Sequence, residues 1–277
     1  MPEGHTLHRL ATSLTERFAG QVVEVSSPQG RFAESAGLVD GTELLGAEAW
    51  GKHLFILFEG ERFVHVHLGL IGKFDVHEGA APSAVGRVRL RIVGRSSYAD
   101  LRGATTCDLL TDQQREAVVE RLGPDPLRDD ADPDEAWRRI SRSRTPIGAL
   151  LMDQTVLAGV GNVYRAEVLF RHRIHPLRPG NTLRRGQFAA MWHDLVELMR
   201  YGVDTGRIDT VRDEHTPEAM GREPRRDDHG GEVYVYRRHD QPCHVCGSLV
   251  KTEVLAARNL FWCPKCQPRF RSRAVLP

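Results

Sequence analysis

The sequence predicts an α+β protein with a β-rich first part and a helical second part that ends in a four-cysteine motif. Three observations indicate this class. Apolar and polar residues alternate in the first hundred residues, apolar residues recur at spacings of three and four after residue 136, and four cysteines lie within the last 35 residues. With 277 residues, 40% hydrophobic and 27% charged, the chain has a globular composition and room for two small domains.

Composition excludes several classes of protein. The formal net charge is +1, so the overall charge does not indicate a nucleic-acid partner. No apolar run approaches the roughly 18 residues of a membrane span, and the first residues lack the apolar stretch of a signal peptide. We therefore expect a soluble cytoplasmic protein with no membrane partner. Nothing resembles a dimer seam, and we expect a monomer.

The first part reads as one helix followed by strands. Residues 7–19 place apolar side chains at helical spacing, which predicts an amphipathic helix. Strands are predicted where residues are continuously apolar or strictly alternate, at 54–58, 64–68 and 88–92. Strict alternation predicts a sheet with one buried and one polar face. Arg87, Arg89 and Arg91 would then share the outer face.

The second part reads as helices and a basic tail. Residues 108–135 are rich in acidic residues and proline, which is typical of an interdomain linker. Helical spacing continues to about residue 203, whereas 213–232 contains two apolar residues and predicts a long mobile loop. We place the boundaries at 1–122 for the catalytic domain, 123–135 for the linker, 136–236 for the helical domain and 237–277 for a zinc finger.

Four cysteines form the strongest local motif. Two Cys-x2-Cys pairs, Cys243 with Cys246 and Cys263 with Cys266, have the spacing of two knuckles that close a tetrahedral zinc site. Four thiolates leave no open position, so we expect one structural Zn²⁺ and no catalytic metal. His244 is expected to be a solvated knuckle residue. The fifth cysteine, Cys107, is expected to be a small buried hydrophobe.

A glycine-containing turn separates two helical patterns at 158–162. Gly159 and Gly161 allow backbone conformations that other residues avoid, and Asn162 is a favoured N-cap residue. Such a turn offers backbone N–H groups to a phosphate. A plain corner between helices is the alternative.

The first residues can form a nucleophile. Removal of Met1 would expose the secondary amine of Pro2. Free α-amines titrate near pH 7.7 to 8.0, so a usable fraction is unprotonated at neutral pH and can attack an aldehyde-level carbon. Glu3 could supply or remove a proton beside it. Taken alone, a Met-Pro-Glu sequence at the beginning of a chain is common and does not indicate a function.

In combination, these motifs resemble the formamidopyrimidine-DNA glycosylase and endonuclease VIII family of base-excision repair enzymes, and most of all its actinobacterial endonuclease VIII-type branch. The resemblance spans nearly the entire chain. It rests on Pro2-Glu3-Gly4, Trp50-Gly51-Lys52-His53-Leu54, His67-Leu68-Gly69-Leu70, Leu151 to Gln154, Gly161 to Tyr164, and Arg258 to Gln267.

The resemblance implies an N-terminal β-sandwich and a helical domain with a helix-two-turn-helix and a zinc finger, with DNA in the cleft between them. It implies a nucleoid-associated glycosylase and abasic-site lyase that acts on duplex DNA with oxidised bases, pyrimidines in particular, or abasic sites. Pro2 would attack C1′ through a Schiff base, and β,δ-elimination would nick the strand. The other implied site residues are Glu3 as acid and base, Lys52, Asn162 and Arg258 at phosphates, and Leu70 in the hole left by the everted nucleotide.

The chain departs from the family pattern at three places. Thr6 stands where many members carry a second glutamate, Asp100 to Gly103 replaces an Asp-Pro-Arg-Arg-Phe loop, and Gly69 to Ile71 replaces a Gln-Leu-Tyr wedge. Structural alternatives to these functional roles remain open. Lys52 and Arg258 could be exposed surface residues, and Leu70 could be a core residue. Two rival functions also remain, a preference for formamidopyrimidines and 8-oxoguanine, and a non-catalytic zinc-finger protein that binds damaged DNA.

Overall fold

The computed structural model describes residues 2–226 and 231–270. Its chain divides between Leu122 and Gly123 into two compact units, the first unit (1–122) and the second unit (123–277). The first unit contains α1 (Gly4–Phe18), β1 (Gln21–Ser26), α2 (Ala33–Val39), β2 (Thr42–Trp50), β3 (His53–Phe58), β4 (Arg62–His67), β5 (Lys73–Glu78), β6 (Val88–Val93), β7 (Ser97–Arg102), β8 (Thr106–Thr111) and α3 (Asp112–Val119). The predicted α+β class is confirmed.

Eight antiparallel strands follow the order β5-β7-β6-β1-β2-β3-β4-β8. The first half of β1 pairs with β2 and its second half pairs with β6, so this strand belongs to both halves of the sheet. The β2-β3-β4-β8 half and the β6-β7-β5 half therefore enclose one core, as in a β-sandwich. Their inward residues, Leu54, Ile56, Val64, Val66, Leu90 and Ile92 among them, are buried in one cluster.

Helix α1 packs its apolar stripe against this core. Leu7, Ala11, Leu14 and Phe18 recur at spacings of three and four and are all buried. The helix ends at Phe18, and Gly20 adopts the left-handed conformation that starts the turn into β1.

The structure corrects two expectations for the first unit. Arg91 keeps the face that its alternation with Leu90 and Ile92 predicts, but it is not exposed there, because it is buried against Asp100, with Nε 2.7 Å and Nη2 2.8 Å from the carboxylate oxygens. The linker does not begin at residue 108, because β8 continues to Thr111 beside β4 and a capping box at Thr111 starts α3. Cys107 is buried as expected, and burial raises the pKa of its thiol to about 12.

The second unit is helical, with one hairpin. It contains α4 (Pro133–Arg142), α5 (Ile147–Leu150), α6 (Asn162–Arg171), α7 (Arg185–Thr205), α8 (Pro217–Met220), β9 (Lys251–Leu255) and β10 (Arg258–Trp262). Helix α6 is buried on nearly every side by β10 and the neighbouring helices α5 and α7, since all nine residues from Asn162 to Phe170 are buried. Among the described residues, no helix combines the length and hydropathy needed to cross a membrane.

A buried carboxylate organises the end of α6. Glu167 is fully buried, and its two oxygens accept hydrogen bonds from the hydroxyl of Thr210 (2.6 Å) and from the backbone N–H groups of Tyr234, Val235 and Tyr236 (2.7, 2.9 and 2.9 Å). Four donors satisfy the oxygens of this anion, and the charges of Arg171 and Arg238 also favour it. The Glu167 carboxylate thereby holds residue 210 and residues 234–236 next to each other beside α6.

The segment 213–232 was expected to be a long mobile loop, and part of it instead has regular structure. Asp213–His215 forms a 3-10 turn, and Pro217–Met220 forms a short helix that Thr216 caps. Near the end of the segment, Arg222 Nη2 lies 2.6 Å from the carboxylate of Glu232. Residues 227–230 lie outside the described residues, so the expectation of mobility is untested there.

Candidate functional site

Four thiols converge at the base of the β9–β10 hairpin. The sulfur atoms of Cys243, Cys246, Cys263 and Cys266 all lie within 4.8 Å of one another. Two of the sulfur–sulfur distances are 3.9 Å (Cys243 to Cys266) and 3.4 Å (Cys246 to Cys263). A zinc–sulfur bond of about 2.3 Å in a tetrahedron requires sulfur atoms about 3.8 Å apart. The set therefore fits one Zn²⁺, and because all four positions are thiolates this zinc is structural.

Buried polar side chains connect this zinc centre to the helices. The amide of Gln267 accepts from the backbone N–H of Cys263 (3.0 Å) and donates to the carbonyl of Ile174 (2.9 Å). Arg238 donates to the carbonyl of Pro242, next to Cys243. His244 is half-buried, with Nδ1 3.5 Å from Arg238 Nη2, so the expectation of a fully solvated His244 was wrong.

The hairpin places Arg258 beside its tip. Ala256 and Ala257 both have positive φ angles, 50° and 57°, which makes a tight two-residue connection whose twist matches the strands. Arg258 follows as the first residue of β10, opposite Leu255, and is half-buried. The next residue, Asn259, turns its backbone carbonyl toward α6.

Asn162 and the hairpin meet at that carbonyl. The side-chain amide of Asn162 donates to the carbonyl of Asn259 at 3.0 Å. Arg165, fully buried (0% exposed), donates to the same carbonyl at 3.0 Å, to the carbonyl of Gly148 at 3.2 Å, and to the side-chain oxygen of Asn162. The structure therefore joins Asn162 to the strand that begins with Arg258. Sequence reasoning missed Arg165, because an arginine inside an amphipathic pattern carries no signal of burial.

The turn before α6 differs from its prediction in two respects. Gly161, not Asn162, is the N-cap residue, and Asn162 is the first helical residue. The backbone N–H groups of Ala158 and Gly159 are already bonded, to the carbonyl of Pro124 (3.1 Å) and to the side chain of Gln154 (3.0 Å). These two N–H groups are therefore not free for a phosphate.

In the first unit, the start of α1 and the β2–β3 turn lie at the same end of the sheet. Thr15 accepts a hydrogen bond from the N–H of Ala47 (2.9 Å), and the N–H of Gly20 donates to the carbonyl of Leu44 (2.9 Å). Helix α1 therefore runs antiparallel to β2, and its N-terminus points toward the end where the Gly51–Lys52 turn joins β2 to β3.

The carboxylate of Glu3 is enclosed at this end. Glu3 is fully buried (0% exposed) and is the N-cap residue of α1, while Pro2 is half-buried. The positive end of the helix dipole favours a negative charge at this position. Pro2 and Glu3 thus share the sheet end with Lys52, as a reaction that uses all three would require.

The turn after β4 belongs to the same end. His67 pairs with His53 of β3 and with Thr106 of β8, so the chain leaves β4 beside the Gly51–Lys52 turn. Leu70 lies in the tight turn that follows, where it is 53% exposed. A core position for Leu70 is therefore excluded.

Comparison with known proteins identifies these features as those of one family. Residues 1–107 match the N-terminal domain of formamidopyrimidine-DNA glycosylase, residues 122–213 match its H2TH domain, and residues 240–269 match the zinc finger found in FPG and IleRS. The chain belongs to the formamidopyrimidine-DNA glycosylase family. It is thus a DNA glycosylase that acts on damaged DNA, with a helix-two-turn-helix region and one structural zinc.

Individual relatives extend this glycosylase's similarity over its whole length. Endonuclease 8 1 of Mycobacterium tuberculosis (strain ATCC 25618 / H37Rv) is 54% identical over 274 residues, which cover 96% of this chain and 100% of that protein. Formamidopyrimidine-DNA glycosylase of Parasynechococcus marenigrum is 31% identical, covering 96% and 99%. The crystal structure of Lactococcus lactis Fpg with abasic-site DNA superimposes with a TM-score of 0.78 at 21% identity, covering 96% and 100%. That structure supports the fold.

Sequence reasoning also missed a cluster of three histidine rings in the glycosylase. His53 Nδ1 lies 2.8 Å from His65 Nε2, and the His53 ring stacks at 5.1 Å on His65 and at 5.1 Å, tilted, on His67. Burial lowers the pKa of His53 to about 3 and that of His65 to about 4. Burial and the charge of Lys52 lower the pKa of His67. At neutral pH, His53 and His65 are therefore uncharged, and one ring nitrogen donates to the other.

Proposed function

We propose that this glycosylase is bifunctional, removing oxidised bases from duplex DNA and cleaving the strand at the resulting abasic site. The observation that carries the proposal is the fully buried carboxylate of Glu3, directly after Pro2 and at the sheet end that holds Lys52. A buried carboxylate beside an N-terminal amine is suited to proton transfer during attack on a sugar carbon.

The reaction begins once Met1 has been removed. The nitrogen lone pair of Pro2 forms a bond to C1′ of the damaged nucleotide, and the N-glycosidic bond breaks with its electrons leaving on the base. Glu3 takes up the proton that the Pro2 nitrogen loses and delivers a proton as the base departs and the sugar ring opens, which leaves an iminium, the Schiff base of a secondary amine. Loss of a C2′ proton expels the 3′ phosphate, and a second elimination expels the 5′ phosphate. Water then releases the sugar fragment and restores the amine.

The remaining site residues hold DNA. Lys52 contacts the phosphate or sugar beside the lesion, and Asn162 and Arg258 contact phosphates of the same strand. The bonds from Asn162 and Arg165 to the carbonyl of Asn259 support this role for Arg258, because they fix the strand that begins with it. Leu70, exposed on its turn, fills the space left by the everted nucleotide.

Oxidised pyrimidines are the preferred substrates in this proposal. The resemblance of the sequence motifs to the endonuclease VIII-type branch supports that preference, as does the short Gly103–Thr105 connection in place of a longer Arg-Phe loop. Formamidopyrimidines and 8-oxoguanine are the competing substrates. A panel of duplexes that carry one lesion each, scored for excision, ranks the two classes.

The proposal extends to the setting of the enzyme. It acts as a monomer in the cytoplasm, associated with the nucleoid. Its second unit is divided into a linker (123–135), a helical domain (136–236) and a zinc finger (237–277). Size-exclusion chromatography with light scattering tests the monomer, and a dimeric mass would contradict it.

Borohydride trapping tests the Pro2 mechanism. Reduction of the Schiff base on an abasic-site duplex should yield a permanent protein–DNA bond that peptide sequencing locates on Pro2. An N-terminal tag should abolish trapping because it blocks the amine, whereas the same tag at the C-terminus should not. Equal trapping of both tagged proteins, or an adduct on Lys52 in the unsubstituted enzyme, would refute the mechanism. The absence of an adduct with either protein would show that this glycosylase removes bases without a Schiff base.

Glu3→Gln separates the two chemical steps. Base removal needs proton transfer that an existing abasic aldehyde does not, so the substitution should slow excision on the order of a hundredfold or more. The rate of cleavage at a pre-formed abasic site should fall much less than the rate of excision. Single-turnover rates on both substrates measure the difference, and equal losses would remove Glu3 from the step of base departure.

A further inference from the structure

A column of aromatic and imidazole rings lies on the outer face of the β3–β4 pair. Strand alternation turns His53 and Phe55 away from the core of the sandwich. The Phe55 ring stacks on His65 at 4.9 Å, and His65 stacks on His53 at 5.1 Å. The rings therefore form one column that runs along the two strands toward the Gly51–Lys52 turn.

Arg115 of α3 closes the far end of this column. Its guanidinium lies over the rings of Phe55 (5.9 Å) and Phe63 (5.3 Å), and its Nε atom lies 2.7 Å from the carboxylate of Glu48. Phe55 and Phe63 are both buried, although they lie outside the inner core of the sandwich. The helix therefore shields this end of the column from solvent, and the other end meets the turn.

His53 connects the column to the turn. It directly follows Lys52, and Gly51 has a φ of 58°, so that only two residues join Trp50 to its register partner His53. Across the strands, His53 Nδ1 lies 2.8 Å from Nε2 of His65. A hydrogen bond between two side chains thus ties the first residue after the turn to β4.

The environment of the histidine pair favours its uncharged form. Burial lowers the pKa values of His53 and His67 most, and the charge of Lys52 lowers both further. On β8, Asp108 raises the pKa of His65, but burial lowers it more. An uncharged pair of rings can stand beside the Lys52 ammonium without repelling it.

We infer that His53 and His65 are positioning residues for Lys52, because their hydrogen bond ties the turn that carries this lysine to β4. The inference rests on the proposed function, in which Lys52 contacts the phosphate or sugar beside the lesion. Such a contact depends on where the ammonium stands, and a displacement of about 1 Å can lower a rate by about a hundredfold. Neither histidine needs to touch DNA, since each acts through the turn.

The salt dependence of DNA binding tests the inference without requiring catalysis. At neutral pH, the Kd for a duplex with one tetrahydrofuran site, an uncleavable abasic-site analogue, is measured at several salt concentrations. Lys52→Ala should reduce the salt dependence by about one charge, because it removes one phosphate contact. His65→Leu removes only an uncharged ring, yet it should cause a similar reduction because Lys52 is no longer held. In the double variant the two reductions should not add.

Two further variants of β4 separate positioning from general loosening of the sheet. His65→Gln keeps an amide that can bond to His53 Nδ1, so it should retain most of the salt dependence of the unsubstituted enzyme. Phe63→Leu truncates another buried ring on the same face and should leave the salt dependence unchanged. An equal reduction in Phe63→Leu, or no reduction in His65→Leu, would overturn the inference.

If His65→Leu does not fold, a measurement on Lys52 decides. In NMR titrations of the histidine ring nitrogens, Lys52→Met should raise the pKa of His67, because a charge that lowers it is gone. An unchanged pKa would place Lys52 away from the histidines and would overturn the inference.

Failure of the inference is distinguishable from failure of the proposed function. If Lys52→Ala reduces the salt dependence and His65→Leu does not, the inference alone fails. If the unsubstituted enzyme binds the tetrahydrofuran duplex no better than undamaged DNA, or if Lys52→Ala changes nothing, the proposed DNA contacts fail and the inference fails with them.

Discussion

Acidification from pH 7 to pH 5 should destabilise the first unit through the His53–His65 pair. Burial holds the folded-state pKa of His53 near 3 and that of His65 near 4, well below the ordinary value of 6.5. Between pH 6.5 and these values, the unfolded chain binds protons that the folded chain excludes. Stability is therefore complete above about pH 6.5 and falls as the pH falls, until the folded rings also titrate.

The size of the effect follows from the depressed pKa values. One pH unit below the unfolded pKa costs about 1.36 kcal/mol for each excluded proton. At pH 5 each ring therefore removes about 2 kcal/mol, and the pair removes at most about 4 kcal/mol. That upper value is comparable with the whole stability of a marginal domain, about 5 to 15 kcal/mol.

Hydrogen exchange of the intact enzyme measures this loss. The opening free energy of amides in β3 and β4 is compared at pH 7 and pH 5, after correction for intrinsic exchange rates, with the β9–β10 hairpin as reference. The double variant His53→Phe, His65→Phe keeps aromatic rings in the stack but cannot titrate. Between pH 7 and pH 5 its opening free energy should therefore fall by up to about 4 kcal/mol less than that of the parent. His77→Gln, at an exposed histidine of β5, is the control. An identical pH dependence for parent and double variant would falsify the reasoning.

Three further predictions concern the zinc, the phosphate contacts and the long connection. Cys246→Ser should release zinc and abolish DNA binding while the strands of the first unit stay protected from exchange; full-strength binding by zinc-free protein would contradict this. Arg258→Ala and Lys52→Ala should each reduce the dependence of the DNA-binding constant on salt concentration by about one charge. An unchanged salt dependence would show that the two side chains are solvated and do not contact phosphates. The amides of 217–226 should exchange faster than those of β10 in free enzyme and slow on lesion DNA, and strong protection without DNA would refute the prediction.

Elements whose signal lies within a short stretch of sequence were predicted correctly from the sequence alone. The apolar stripe of α1 predicted its buried face, the alternating residues of β4 and β6 predicted strands, and the paired cysteine knuckles predicted the zinc centre. Each of these signals is contained in a short stretch of chain. The family resemblance added the expected roles of Pro2 and Glu3, which no pattern of spacing reveals and which stay predictions.

Features that depend on strand register or on distant partners could not be predicted in this way. His53 and His65 meet only because β3 and β4 pair in one register, and Arg91 is buried only because Asp100 lies on the adjacent strand. The burial of Arg165 requires the carbonyl of Asn259, 94 residues away. None of these partners is visible within the window over which helical or strand periodicity is measured.

The buried carboxylate of Glu167 has a consequence for how this enzyme can diversify. Because it binds both Thr210 and the backbone of 234–236, it fixes the two ends of the intervening stretch of chain independently of that stretch's length. Doubling the length of a flexible connection adds only about 0.6 kcal/mol to the entropy cost of closing it. A change in the length of this stretch away from the Arg222–Glu232 ion pair should therefore cost little entropy and leave unchanged the packing of α6, which carries Asn162.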